Sequence, residues 1–95
     1  MKEKQIEAKL VQAVKAKGGL CLKFTSPSMA GVPDRLVLLP EGRIGFVEVK
    51  VKGKNPRPLQ ARRMKQLSDL GFRCLVLDDV NDITHIIDEI GGGDG

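Results

Sequence analysis

The chain has 95 residues, 41% of them hydrophobic, and a formal net charge of +4. This size and composition predict one small globular domain rather than several. No run approaches the roughly 18–20 apolar residues of a membrane span, and no leader pattern is visible, so we expect a cytoplasmic protein without membrane contact. The two cysteines, Cys21 and Cys74, lie in apolar stretches, which predicts free thiols rather than a disulfide or zinc site.

The first half of the chain contains one predicted helix and three predicted strands. The helix covers residues 2–17, where apolar side chains recur at helical spacing before two glycines. The strands cover residues 20–25, 35–39 and 43–51, with a loop rich in Ser, Pro and Gly before the second. A tight turn at Glu41-Gly42 joins the second strand to the third.

The second half predicts a helix, a strand and a last helix. Pro58 fits the first turn of a helix that runs to Leu70, and Gly71 fits its C-terminal cap. A strand follows at residues 72–77, and Asp78 or Asp79 can cap the last helix. The order α-β-β-β-α-β-α predicts an α/β fold with a mixed sheet flanked by helices. Residues 1–90 form this single domain, and the glycine-rich residues 91–95 are expected to be a disordered tail.

The tight turn also predicts how the second and third strands pair. A three-residue loop that ends with Gly42 in the left-handed conformation pairs Leu39 with Arg43. The opposed pairs that follow are Leu38–Ile44, Leu36–Phe46 and Asp34–Glu48. One face of the hairpin is then expected to bury the apolar pairs and to carry the two carboxylates at its end. A shift of one residue would move Asp34 to the other face.

Three charged residues on this face predict a catalytic centre. Directly opposed Cβ atoms lie about 4.5–5.5 Å apart, so the carboxylates of Asp34 and Glu48 repel each other unless a positive charge compensates. Lys50, on the same face, supplies one charge, and Mg²⁺ or Mn²⁺ would supply the rest. Such a metal can activate a water for attack on a phosphate. Taken singly, Glu48 and Lys50 would be an ordinary ion pair and Asp34 a turn residue.

These residues resemble a known family. Gly31-Val32-Pro33-Asp34, then Glu48-Val49-Lys50, then Gln60 at a helix start, are similar to the motifs of the PD-(D/E)XK nuclease superfamily. Within it the chain resembles the stand-alone VRR-NUC domain, over roughly residues 7–77. The resemblance implies a restriction-endonuclease-like core. It implies Gln60 as a further catalytic residue and Glu7, with Glu3 as competitor, as a metal ligand beside Asp34, Glu48 and Val49.

The distribution of charge indicates a polyanionic partner. Seven basic residues and no acid lie between Lys50 and Lys65. A solvated helix face would explain the pattern equally well. The candidate contacts to nucleic acid are Lys52, Lys54, Arg57, Arg62 and Arg63, with Ser26 and Ser28 from the loop. The chain has no Trp or Tyr and three Phe, which argues against a platform for stacking unpaired bases.

The predicted function is a metal-dependent endonuclease that hydrolyses DNA phosphodiester bonds. The resemblance implies a structure-selective enzyme acting on Holliday junctions, flaps or branched DNA as a homodimer, without a small-molecule cofactor. A nuclease of this size is by analogy typical of a phage or mobile element. One alternative is a catalytically inactive nucleic-acid-binding module of the same fold. Another is a small α/β domain that only mediates protein contacts. The DNA structure or sequence that is cut stays open.

Overall fold

Three helices surround one four-stranded sheet in the computed structural model, which describes residues 1–92. The elements are α1 (Glu3–Ala16), β1 (Leu20–Lys23), β2 (Arg35–Leu39), β3 (Arg43–Val49), α2 (Pro58–Asp69), β4 (Arg73–Leu77) and α3 (Ile83–Ile90). The strand order is β1-β2-β3-β4, with β4 parallel to β3 and the other pairs antiparallel. The predicted element order and the mixed sheet are confirmed, because α2 is the crossover between two parallel strands.

The element ends differ from the predictions by a few residues. The first strand ends at Lys23 and the third at Val49. The last helix begins after a 3₁₀ turn, Val80–Asp82, and the side chain of Asp79 caps that turn by accepting a hydrogen bond from the Asn81 amide at 2.9 Å. The turn Gly91-Gly92 follows α3. The rest of the predicted disordered tail lies outside the described residues.

The hairpin register is as predicted. Leu39 pairs with Arg43, and the ladder continues through Leu38–Ile44 and Leu36–Phe46 to Arg35–Val47. Gly42 has a φ of 74°, the left-handed conformation that the three-residue loop requires. Glu41 before it also has a positive φ, 69°, so the turn places two consecutive residues in the left-handed region.

The expectation about which face of the hairpin is buried was wrong in part. On the face with Asp34 and Glu48, Phe46 is 7% exposed but Ile44 is 39% exposed, and Leu36 and Leu38 are half-buried. The main core lies on the opposite face. Its sheet residues are Val37, Leu39, Val47, Val49 and Leu77.

Two helices explain why the core lies there. Helix α1 contributes Ile6, Leu10 and Val14, and α3 contributes a stripe of four buried isoleucines. Helix α2 packs against β4 and the loop before β2, and leaves β1 and β2 largely uncovered. Both faces of β2 and β3 are apolar in sequence. The alternation of side chains along these strands therefore does not predict on which face α1 and α3 pack.

Both cysteines are free thiols, as predicted, and each is half-buried. Burial raises the pKa of the Cys21 thiol and of the Cys74 thiol, which keeps them in the neutral form. Among residues 1–92, no helix has the length and apolar character needed to cross a bilayer.

Replacement of Gly45 tests the packing of α3 on the sheet. A Cβ atom at this position of β3 would lie 2.5 Å from Cγ1 of Ile90. We expect Gly45→Ala to lower the free energy of unfolding by about 1–3 kcal/mol through overpacking. We further expect Ile90→Ala to cost less in the Gly45→Ala background than in the wild type. Urea unfolding of the four proteins measures this coupling, and strictly additive costs would show that the two residues do not meet.

Candidate active site

The two carboxylates meet where β2 begins and β3 ends. Asp34 directly precedes β2, and Glu48 is the penultimate residue of β3. The Asp34 amide donates a hydrogen bond to Oε1 of Glu48 at 3.2 Å. The Val49 amide donates to Oδ2 of Asp34 at 2.9 Å. Each carboxylate is therefore held by the main chain beside the other one, which sets their orientation without a direct bond between the two acids.

Glu48 is the most constrained member of this pair. It is 1% exposed, although carboxylates are almost never fully buried without a partner. Nζ of Lys50 lies 3.2 Å from its Oε2, but this ion pair is not aligned as a hydrogen bond, and Oε2 accepts none from the described residues. Burial raises the pKa of Glu48, the charge of Asp34 raises it further, and Lys50 offsets only part of the effect.

The unbonded oxygen of Glu48 fits a divalent cation. This buried oxygen accepts no aligned hydrogen bond and has the Lys50 ammonium as its positive partner, so it can still bind a cation, and carboxylates are the ligands that Mg²⁺ and Mn²⁺ prefer. Within residues 1–92, no three His, Cys, Asp or Glu side chains form a group that could bind a metal. The site therefore offers two carboxylates, which is the usual protein share for Mg²⁺, with water and substrate oxygens completing its shell.

Glu7 forms an ion pair with Arg35 and does not join these two carboxylates. Its Oε2 accepts a hydrogen bond from Nε of Arg35 at 2.6 Å, and Nη1 of the same arginine donates to the Cys21 carbonyl at 3.2 Å. Neighbouring strand residues point to opposite faces, so Arg35 reaches toward α1 while the site forms on the other face. The predicted competitor, Glu3, is exposed in the first turn of α1.

Gln60 points inward, as its helical position predicts, and it is buried. Its Oε1 accepts a hydrogen bond from the Arg57 amide at 2.8 Å, so it caps the N-terminus of its own helix. The buried side-chain oxygen of Gln60 thus has its hydrogen-bond partner at the start of its own helix.

Arg63 connects α2 to the loop that leads to Asp34. Its Nε donates to the Ala30 carbonyl at 2.7 Å, and its Nη1 donates to Oε1 of Gln66 at 2.9 Å. One helical turn earlier, Leu59 packs so closely on Gly31 that a Cβ there would lie 2.7 Å from Cγ of the leucine. Arg63 therefore helps to hold the loop in place, a role that its position in a basic run did not indicate.

The other predicted contacts to nucleic acid lie at the surface. Lys54, Arg57 and Arg62 are exposed. Lys52 is also exposed, and its Nζ lies 3.1 Å from Oδ2 of Asp79, a contact that raises the pKa of the lysine.

The two loop serines contact each other. Oγ of Ser26 lies 3.2 Å from Oγ of Ser28. Both line a cavity of about 310 Å³ between the loop and α2, whose wall also includes Phe24, Met29 and Leu67.

Comparisons with known proteins agree with this fold. No protein-family profile matches the chain. The chain is 46% identical over 87 residues to "Putative nuclease p44" of Acyrthosiphon pisum secondary endosymbiont phage 1, with 92% of each protein covered. It is also similar to a solved structure described as "VRR_NUC domain", with a TM-score of 0.86, 31% identity, and coverage of 90% of this chain and 94% of the other.

Together the fold and these relatives define a small nuclease with a restriction-endonuclease-like core. The chain belongs to the VRR-NUC family of the PD-(D/E)XK superfamily.

Burial of the ionised Glu48 carboxylate costs stability. We therefore expect replacement of Glu48 by a neutral residue to stabilise the protein, by an amount that depends on pH. The raised pKa means that the folded protein holds this proton to higher pH than the unfolded chain does, so ionisation costs stability as pH rises. We expect Glu48→Gln to melt at a higher temperature than the wild type at pH 7, each kcal/mol gained appearing as a shift of about 4–8 °C.

The gain should disappear below about pH 4.3, where glutamate is protonated in both states. Melting curves from pH 3 to pH 8 measure the difference, with the exposed Glu41→Gln as the matched control. A gain that is equal at all pH values would show that the buried charge is not its cause.

Proposed function

We propose that this nuclease hydrolyses DNA phosphodiester bonds with Mg²⁺ or Mn²⁺ at the centre formed by Asp34, Glu48 and Lys50. The observation that carries the proposal is the buried, unbonded Oε2 of Glu48, held beside Asp34 and within 3.2 Å of the Lys50 ammonium. Packing of the core does not explain this arrangement, because burial of the Glu48 charge costs stability in the folded chain. A protein-contact domain would have no use for it.

Each residue of the centre has a role in this proposal. Asp34 and Glu48 would hold the metal through carboxylate oxygens, and Val49 could add only its main-chain carbonyl, since its side chain is apolar and buried in the core. When bound, the metal would lower the pKa of a water and polarise the phosphate. Lys50 would orient that water or stabilise the charge that grows on the phosphate.

Glu7 and Gln60 have further roles in this proposal. Glu7 would serve as a metal ligand only after release from Arg35, so its contribution depends on exchange of one charged partner for another. Gln60 would act by keeping the start of α2 in place, through the hydrogen bond to the Arg57 amide, and by contact with the substrate.

DNA as the substrate is supported by the basic surface formed by residues that follow Lys50 in the chain. Lys54, Arg57 and Arg62 are exposed. Lys52 is also exposed and forms an ion pair with Asp79. Ser26 and Ser28 offer hydroxyls that could bind phosphate oxygens from the loop before Asp34.

We further propose that the enzyme is selective for branched DNA, such as a Holliday junction or flap, and that it acts as a homodimer. The resemblance to the stand-alone VRR-NUC domain supports both points, because a two-fold dimer presents two centres to two strands. The phage relative supports a phage or mobile-element source for the chain.

A catalytically inactive module that only binds nucleic acid is the alternative. The presence of Asp34, Glu48 and Lys50 in one contact group favours the enzyme over this module. The module would bind DNA without cleaving it in the presence of any divalent cation, and calorimetry would detect no metal binding to it.

Cleavage assays with site variants test the centre directly. We expect the wild type to cut branched DNA with Mg²⁺ or Mn²⁺ and to stop when a chelator is added. Asp34→Asn keeps an acceptor for the Val49 amide but loses the charge, and we expect a fall in kcat of at least about 100-fold, as for Lys50→Ala. Asp88→Asn, at an exposed position of α3, is the control. Full activity of both site variants would overturn the site assignment.

The basic surface is tested by the salt dependence of binding. In a buffer without divalent cations, we expect Arg62→Gln to reduce the slope of log Kobs against log salt by about 0.9, the loss of one phosphate contact. Arg63→Gln should leave the slope unchanged and lower kcat instead, because its guanidinium binds the Ala30 carbonyl in the loop before Asp34. Equal slopes for Arg62→Gln and wild type would remove Arg62 from the interface. A reduced slope for Arg63→Gln would add Arg63 to it.

A further inference from the structure

The sheet row that contains Asp34 and Glu48 also contains Phe24. In the ladder between β1 and β2, the last pair is Lys23 with Arg35. The pair that follows is Phe24 with Asp34, and the Phe24 amide donates a hydrogen bond to the Asp34 carbonyl at 2.9 Å. Directly opposed residues of paired strands point to the same face of a sheet. The Phe24 side chain therefore lies on the face of the proposed metal centre, one strand spacing of about 5 Å from Asp34.

Phe24 forms part of the wall of the cavity between α2 and the loop before β2. The cavity has a volume of about 310 Å³, and most of its wall is apolar. The apolar side chains are those of Phe24, Met29, Val32, Leu67 and Leu70. Met29 is 43% exposed and Leu70 is 74% exposed, so this wall is open to a ligand from solution. A concave site with exposed apolar walls is typical of a ligand pocket.

A smaller polar part completes the wall of this cavity. It consists of the side chains of Ser26, Ser28, Arg63 and Gln66. Arg63 already donates to Gln66 and to the Ala30 carbonyl, but hydroxyls and side-chain amides can each make several hydrogen bonds. A hydrocarbon ligand would leave these groups without partners. A nucleobase has two apolar ring faces and a polar edge, and it therefore matches both parts of the wall.

We propose that this cavity binds one unpaired nucleobase of the DNA strand that is cut. The inference rests on the proposed function, since it takes DNA as the substrate and Asp34 as part of the centre. The ring of Phe24 supplies an aromatic contact to the base, and the side-chain amide of Gln66 binds the edge of the base. The hydroxyls of Ser26 and Ser28 bind a phosphate of the same nucleotide. The volume is that of the smallest ligand pockets, which suits a single base rather than a stacked run.

An unpaired base is available at a branch and not in a continuous duplex. A base of duplex DNA enters a pocket only after it has been unstacked and unpaired, which costs free energy. At a flap or an open junction, nucleotides next to the branch have already lost these contacts. The cavity therefore favours branched DNA over duplex DNA at the stage of binding. One phenylalanine suits one base, which agrees with the lack of Trp and Tyr for a longer stacking platform.

Equilibrium binding of the full chain in a buffer without divalent cations tests the proposal. The ligand is a flap DNA in which one nucleotide at a time, on either side of the branch, lacks its base. At one position we expect the missing base to raise the Kd of the wild type at least about 5-fold, the lower limit for loss of one base–aromatic contact. In Phe24→Leu, which keeps the wall apolar but removes the ring, the same position should cost about 2-fold or less.

Phe72→Leu is the matched control. Phe24 and Phe72 both pack against Phe46, with ring centroids 5.4 Å and 5.8 Å from it, and of the two it is Phe24 that lines the cavity. We expect Phe72→Leu to keep the full effect of the missing base. Circular dichroism confirms that the variants are folded. Met29→Ser, at an exposed position of the same wall, replaces Phe24→Leu if that variant does not fold.

Each outcome decides the proposal. A missing base without effect at every position, or an equal effect in wild type and Phe24→Leu, would overturn it. Loss of the effect in Phe72→Leu as well would also overturn it, because that ring lies outside the cavity. Mg²⁺-dependent cleavage is measured separately on the same DNA. Cleavage without dependence of binding on the base would count against the cavity alone, whereas base-dependent binding without cleavage would count against the proposed catalysis alone.

Discussion

The buried carboxylate of Glu48 is the interaction on which the rest of this structure depends. A side chain that prefers water is held in the penultimate position of a central strand, where burial and the neighbouring Asp34 both oppose its charge. Main-chain amides and Lys50 relieve this cost only in part. The sheet register and the two main-chain hydrogen bonds keep these groups together. The proposed divalent cation would compensate the negative charge that these two carboxylates bring together.

The two faces of the sheet differ in how completely they are covered. One face receives α1 and α3 and forms the closed apolar core. The other face carries Glu48 at one end, and its exposed apolar side chains, Leu20, Leu22 and Ile44, lie toward the other end.

The basic residues around α2 show that charge in a sequence does not define a role. Arg62 and Arg63 are adjacent and identical, yet one is exposed and the other holds the Ala30 carbonyl and Gln66. Arg35 was not distinguished from other strand residues, and it takes Glu7 as its partner. In each case the partner is distant in the sequence, so no local pattern could have revealed the pairing. The side chain of Gln60, whose partner lies three residues away, was the easier case.

The sequence by itself determined the order of the elements, the hairpin register and the meeting of Asp34 with Glu48. These depend on short-range signals: glycine turns, strand alternation and a loop length that permits one pairing. Only the tertiary structure decided which sheet face became the core, because both faces of β2 and β3 are apolar and the choice belongs to the helices that cover them. It also decided the partners of Glu7 and Arg63, since long side chains on separate elements meet only after the chain has folded.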